Sequence, residues 1–433
     1  MKTQDAQDIR ALRSIPAMVV IVAGVLALGA LAWHIWAVPI DQPYGLFTNG
    51  IDTRVYRGGA HAVWNGLPLY EGPVYRVWQF TYTPFAAVGF LPLAFMSEWG
   101  AWRFMNAVNI VCLVLLIALS LRALRFRCDG KFIAVVIAFS IAATTIEPVH
   151  TTIWNGQINL FLVLIVVADL TLRTGRWRGI GVGLAAGIKL TPMFFLAFLA
   201  VTRQWRAIAV ALGTFAATVA IGFAVLPHES WLFWTQTIRD TSRIGPIDWP
   251  ANQTFNGFFI RLGVLDLVHL PGWLWLPVGV VVGLLGLWAA YRAHQAGATL
   301  LAVTVTGMTG TAVAPFSWCH HWVWFVPLAI IAIVHAVDQF DRARPLTWLW
   351  WLAPIGLLLA TFTWHRFTAD QMRFGIFKLL WIQPDFDLSG WHGIAAVLLS
   401  GAYPFVLLAT IVVTLCWTRT RDPIRFNATA VSA

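Results

Sequence analysis

Apolar runs of membrane length recur along the whole chain, separated by short polar loops. They predict membrane helices near residues 15–38, 99–121, 131–148, 157–172, 178–188, 190–202, 206–226, 271–291, 297–314, 321–337, 345–363 and 393–417, about twelve in all. The runs are continuous, whereas a membrane β-barrel would alternate apolar and polar positions in short segments. Two stretches break the pattern. Residues 83–96 are apolar but short and are interrupted by Pro84 and Pro92, so they predict a re-entrant or interfacial piece. The halves 178–188 and 190–202 are each too short for a full span and predict either two half-spans or a re-entrant hairpin. Either arrangement leaves the downstream topology unchanged. The expected fold class is an all-α, polytopic integral membrane protein, one domain over residues 1–433. Its long first loop, 39–98, reads as helical near 53–65 and broken at Gly66-Leu67-Pro68. There is no separate soluble domain and no obvious internal repeat.

Composition agrees. The chain is 59% hydrophobic and 11% charged, against roughly half and a quarter for soluble proteins. Many of its 25 tryptophans fall at the ends of spans, where their amphipathic rings suit the headgroup layer. The net charge of +10 is a topology signal, not a nucleic-acid one. With the N-terminus inside, 18 of the 29 basic residues occupy short inner loops and tails, among them Lys2, Arg10, Arg13, Arg125, Arg173, Arg203, Arg292, Arg342, Arg344, Arg421 and Arg425. The outer segments are then 39–98, 149–156, 227–270, 315–320 and 364–392, with the chemistry facing the extracytoplasmic side. Cys112, Cys128, Cys319 and Cys416 are scattered without metal-ligand spacing. No cleavable signal peptide is evident, because the first apolar run is long and lacks a small-residue cleavage site.

Chemistry-bearing residues collect in the outer segments. Only 19 residues are Asp or Glu, and Asp52 follows the first span closely. It is a candidate catalytic base or, more plainly, a helix N-cap. Lys189, in Gly187-Ile188-Lys189-Leu190-Thr191-Pro192, sits between apolar halves, where a lysine costs about 2.5–3.5 kcal/mol. It is a candidate ligand for a lipid phosphate, or a lysine snorkelling to the headgroups. Glu147-Pro148-Val149-His150 and Trp154-Asn155-Gly156-Gln157-Ile158-Asn159 form a polar cluster at the outer boundary. Asn155-Gly156 signals a turn. Glu147, His150, Asn155, Gln157 and Asn159, with the aromatics Tyr56, Tyr82 and Trp318, read either as ligands for sugar hydroxyls and the acceptor or as glue between helices. His320 and His321 adjoin Trp318, and adjacent histidines make a two-histidine metal site from this pair alone implausible. They join Arg57 as further candidates for holding phosphate. Asp169 reads as structural, paired with Arg173 at helical spacing.

No phosphate-binding loop of nucleotide enzymes is present, nor a convincing Ser-His-Asp or zinc spacing. One carboxylate, cations near the outer leaflet, amides and aromatics suit transfer of a sugar from a lipid phosphate. Phosphate leaves readily, so a single carboxylate that deprotonates the acceptor hydroxyl is sufficient, and one in-line displacement inverts the anomeric centre.

Asp52-Thr53-Arg54-Val55-Tyr56-Arg57-Gly58-Gly59, Gly66-Leu67-Pro68-Leu69-Tyr70 and Phe80-Thr81-Tyr82-Thr83-Pro84-Phe85-Ala86 resemble the opening of glycosyltransferase family 87. Gly156-Gln157-Ile158-Asn159-Leu160 and Gly187-Ile188-Lys189-Leu190-Thr191-Pro192 resemble its next signatures, in order. The matches cover most of the N-terminal half. The resemblance implies a GT-C fold and a cofactor- and metal-independent inverting transferase that uses polyprenyl-phosphate sugars. Members are mostly actinobacterial α-mannosyltransferases building cell-envelope glycolipids, and the base of the first outer loop maps onto Asp52. Within the family the likeness is to α-1,2-mannosyltransferases, which implies polyprenyl-phosphate mannose as donor and a phosphatidylinositol mannoside as acceptor. Lipomannan or lipoarabinomannan α-1,2-mannosyl transfer and arabinofuranosyl transfer are the related alternatives. A glycolipid flippase, from another class, would need polar residues along spans on both sides. Tyr82-Thr83-Pro84 departs from the family's usual Tyr-Pro-Pro.

Overall fold

A computed structural model of the chain describes residues 12–42, 44–172, 175–340, 346–366, 373–374 and 390–419. The first apolar run becomes α1 (Ala17–Ala32), extended by a π-helical turn over Trp33–Ala37. Amphipathic α2 (Ile51–Trp64), a hairpin of β1 (Pro73–Tyr75) with β2 (Trp78–Gln79), short α3 (Pro84–Gly89) and a 3-10 turn over Leu91–Phe95 fill the long first loop. Then come α4 (Glu98–Ala123), α5 (Gly130–Ala143), α6 (Glu147–Asn155) and α7 (Asn159–Leu172). α8 (Ile180–Ile188) and α9 (Phe195–Val201) flank a 3-10 turn over Thr191–Phe194, and α10 (Trp205–Val225), α11 (Pro227–Thr235) and α12 (Phe255–Val264) follow. The C-terminal half holds α13 (Trp275–Gln295), α14 (Thr299–Ala312), a 3-10 turn over Cys319–Trp322 running into α15 (Phe325–Phe340), α16 (Leu352–Thr361), α17 (Trp391–Ser400) and α18 (Ala402–Arg419). A second hairpin pairs His365–Arg366 with Arg373–Phe374.

Among the described residues, six stretches are long and apolar enough to cross a membrane: 17–37, 98–123, 205–225, 275–295, 319–340 and 402–419. Other predicted spans are shorter apolar helices, and two of the predicted runs divide. The run 131–148 splits into α5 and α6, because Thr144 and Thr145 turn their hydroxyls back onto the carbonyls of Ile141 and Ala142, at 2.6 and 2.8 Å, and Pro148 opens a new first turn. The run 393–417 divides at Gly401 into α17 and α18. Lys2, Arg10, Arg173, Arg342, Arg344, Arg421, Arg425 and most of the outer segment 364–392 lie outside the described residues.

Packing explains why exposed helix faces are apolar and buried ones small. On α1, Ile21, Val25 and Leu28 are exposed, while Val19, Ala23, Ala27 and Ala30 recur every three or four residues and are buried. The small stripe lets α1 lie against α5. The same device brings α8 onto α10. A Cβ on Gly183 would strike the carbonyl of Ala211, and one on Gly187 would strike the Thr218 hydroxyl. Asp169 is structural, but as a cap: its carboxylate accepts from the backbone N–H of Gly179, at 3.0 Å, and of Val182, at 3.1 Å. The expected partner, Arg173, lies outside the described residues. α8 stops at Lys189, whose backbone is extended, and Pro192 opens the next turn. The predicted half-spans are thus two short helices with Lys189 at the break.

Candidate active site

Asp52 is positioned by a staple between the first loop and the α6–α7 turn. Gly50 stands in the left-handed region at φ 77°, and its N–H donates to the carbonyl of Trp154 at 2.7 Å. Asn49 Nδ2 donates to Asn155 Oδ1 at 2.7 Å, and the Thr53 hydroxyl donates to the carbonyl of Gly156 at 3.2 Å. Gly156, at φ 71°, makes the turn that Asn155-Gly156 predicts. These bonds draw Gln157 beneath the first turn of α2. Gly50, not Asp52, is the N-cap of that helix, and no side chain caps it. The plain explanation of Asp52 as a cap therefore fails.

Helical spacing then sorts the rest of α2. Asp52, Val55 and Tyr56 share a face at i, i+3 and i+4. The Tyr56 and Tyr82 hydroxyls lie 2.8 Å apart and donate to Gln157 Oε1, at 2.8 and 2.9 Å. That leaves the Gln157 amide N–H for the Asp52 carboxylate. Burial pushes the Asp52 carboxyl up to about 6, opposed by the Gln157 hydrogen bond and by the charge of Lys189. Burial and the Asp52 charge also raise both tyrosines, so they remain protonated donors.

Lys189 completes the pole opposite the carboxylate. Its Nζ donates to Asn159 Oδ1 at 3.2 Å and to His321 Nε2 at 2.6 Å, and lies 5.3 Å from the centre of the Tyr82 ring. With His321 Nε2 accepting, Nδ1 carries the proton and donates to the Ser317 hydroxyl at 2.9 Å. His320 lies beside it, ring centres 4.9 Å apart, and its buried Nε2 has no hydrogen-bond partner among the described residues. Glu147 is buried, and its Oε2 accepts from Tyr403 OH on α18. Trp318 packs edge-on to Trp249 at 5.8 Å. Asp52, Tyr82, Glu147, Asn155, Gln157, Lys189, Trp318, His320 and His321 all line one cavity of about 700 Å³, well within the range of small-molecule sites.

The wall bearing the histidines is braced from outside. Asn252 Oδ1 accepts from the N–H of Ser317 at 3.1 Å, and the N–H of Gln253 donates to the carbonyl of Ser317 at 2.9 Å. Arg261 donates to the carbonyls of Trp249, Asn252 and Ser400, at 2.9, 2.7 and 2.7 Å, and to the Ser400 hydroxyl at 3.2 Å. One buried network thus joins the α11–α12 connection, the 317–321 segment and α17.

The family model of glycosyltransferase family 87 matches residues 80–317. The chain belongs to glycosyltransferase family 87. It is similar to the "Polyprenol-phosphate-mannose-dependent alpha-(1-2)-phosphatidylinositol mannoside mannosyltransferase" of Mycobacterium tuberculosis, 33% identical over 72% of this chain and 74% of the relative. The protein of that name from Mycolicibacterium smegmatis is 31% identical over 78% of this chain and 80% of the relative. A "Polyprenol-phosphate-mannose-dependent alpha-(1-2)-phosphatidylinositol pentamannoside mannosyltransferase" of Mycolicibacterium smegmatis is 31% identical over 75% and 77%. No solved structure matches the chain. This family 87 protein is thus a helical, polytopic membrane glycosyltransferase.

Two residues predicted from the family 87 sequence lie elsewhere. Arg57 is five positions from Asp52, roughly 140° around the helix. It donates to the carbonyl of Met96 at 2.9 Å and lines a separate cavity of about 290 Å³ with Arg54, His61 and Glu98. His150 is fully buried, its Nε2 on the carbonyl of Tyr44 at 2.9 Å and its ring stacked on His34. It supports the Tyr44 loop and does not line the cavity. Tyr56 and Asn159 stand behind the cavity wall, holding Gln157 and Lys189. Trp249, Asp240 and Arg243, which the sequence places in an outer segment without giving them a role, also line the cavity. They sit in the long 227–270 segment, where no motif marks them.

Proposed function

We propose that this chain is an inverting, metal-independent α-1,2-mannosyltransferase that moves mannose from polyprenyl-phosphate mannose to a phosphatidylinositol mannoside, at the extracytoplasmic face of the plasma membrane. The observation that carries the reading is one cavity holding a buried carboxylate, Asp52, and a Lys189–His321 pair. The names of the similar family members agree with it. So does the placement of many basic residues in loops assigned to the other side.

In this reading the Lys189 ammonium, oriented by His321, holds the donor phosphate and stabilises the charge that develops on it as the glycosidic bond breaks. Asp52 takes the proton of the acceptor hydroxyl while that oxygen attacks the anomeric carbon. An α product from a single displacement requires a β-linked phosphate on the donor. Gln157 orients the base, Tyr82 shields it, and Trp318 offers an aromatic face to a sugar.

The test is transfer of labelled mannose by the purified chain and its Asp52→Asn variant. The variant should bind both lipids and lose about 10²–10⁴-fold in rate. Normal turnover would overturn the assignment of the base. Transfer from polyprenyl-phosphate arabinose and not from the mannose donor would overturn the substrate, and lipid movement across proteoliposomes without a new glycosidic bond would overturn the reaction.

A further inference from the structure

The cavity holds a second cation that the proposed reaction leaves unused. Arg243 ends a 3-10 turn between α11 and α12 and lines the cavity near Phe233, Ile238 and Ile244. Its Nε and Nη2 are buried, and the guanidinium has no hydrogen-bond or ion-pair partner among the described residues. The charge of Asp240 acts on the guanidinium from beyond ion-pair distance, and Asp240 Oδ1 accepts from the Ser242 N–H at 3.1 Å and the Ser242 hydroxyl at 2.5 Å. Arg261, eighteen positions on, shows what a structural arginine looks like here, with four hydrogen bonds to the protein. A guanidinium does not shed its proton, so buried N–H groups without acceptors cost free energy until an acceptor arrives.

The surroundings say what that acceptor is. Phe233, Ile238 and Ile244 are apolar, and the planar guanidinium fork matches two oxygens of a phosphate diester. The polyprenyl-phosphate donor carries one phosphate, which Lys189 takes in the proposed reaction. We propose that Arg243 binds the phosphodiester of an anionic glycolipid acceptor, anchoring the lipid end while its terminal sugar reaches Asp52. The inference rests on the transferase reading above, and it makes the lipid phosphate a determinant of which mannosides are used.

Purified full-length chain and its Arg243→Ala and Arg243→Lys variants would be assayed with labelled polyprenyl-phosphate mannose. The acceptors are a phosphatidylinositol mannoside and an uncharged alkyl mannoside. Arg243→Ala should raise KM for the phosphatidylinositol mannoside about 10- to 100-fold, the range for a charge-assisted hydrogen bond. The effects on the alkyl mannoside and on KM for the donor should be far smaller, and Arg243→Lys should recover part of the loss. Equal losses on both acceptors, a shift confined to the donor, or no change would overturn the proposal. Binding of the phosphatidylinositol mannoside without donor, by microscale thermophoresis, separates this inference from the reaction. If wild type transfers no mannose, the transferase reading fails. Weaker binding by Arg243→Ala would still support phosphodiester recognition, and equal binding would overturn it.

Discussion

Replacing Gln157 with Leu tests the coupling between the base and the amide beneath it. A base must be deprotonated to act, so kcat/KM should fall with unit slope as pH drops through about 6, the value to which burial raises Asp52. The Gln157 amide favours the charged carboxylate, and removing it favours the neutral acid. A hydrogen bond to a charged group contributes about 1.5–3 kcal/mol, which at 1.36 kcal/mol per pH unit moves the acid limb upward by roughly one to two pH units. Gln157→Leu should therefore lose about 5- to 50-fold at pH 6, where the wild-type base is itself half protonated, and recover much of that loss at alkaline pH. Tyr56 and Tyr82 keep each other as hydrogen-bond partners at 2.8 Å, and thermal unfolding in the same detergent checks that the fold survives. The assay is the pH profile of mannose transfer at low substrate. A pH-independent loss with an unmoved midpoint would refute the argument and return Gln157 to the role of a sugar ligand.

Lys189→Ala should raise KM for the donor and lower kcat while sparing acceptor affinity, read from the same transfer assay. An unchanged donor dependence would mean that Lys189 serves only its membrane neighbours. Gly187→Val forces a branched side chain against Thr218, so it should destabilise the protein by about 1–3 kcal/mol and lower the unfolding temperature in detergent. Incubation with EDTA should leave transfer unchanged; loss restored by a divalent cation would overturn metal independence.

Much of the site was legible because its signals were local. Gly156 had to make a turn, Lys189 had to stop a helix beside Pro192, and Asp52 was a scarce acid close after the first span. Each depended on backbone or burial costs that residue types reveal without a fold. What stayed hidden depended on direction. Arg57 shares a motif with Asp52 but leaves α2 on another side, and a linear motif does not display that angle unless the helix start is known. His150 was drawn into the polar cluster by proximity in sequence, yet its ring faces the Tyr44 loop. Arg243 carries no motif, and its meaning comes only from what it fails to touch. The split of 131–148 was likewise obscured, because hydropathy averages over two threonines whose hydroxyls compete for backbone carbonyls.

The brace around Arg261 has a kinetic consequence. Because Asn252, Gln253 and Ser400 lock the segment carrying Trp318, His320 and His321 during folding, that wall needs no reordering when substrate arrives. Loosening the brace, as in Arg261→Met, should therefore slow each turnover through imprecise alignment more than it weakens binding.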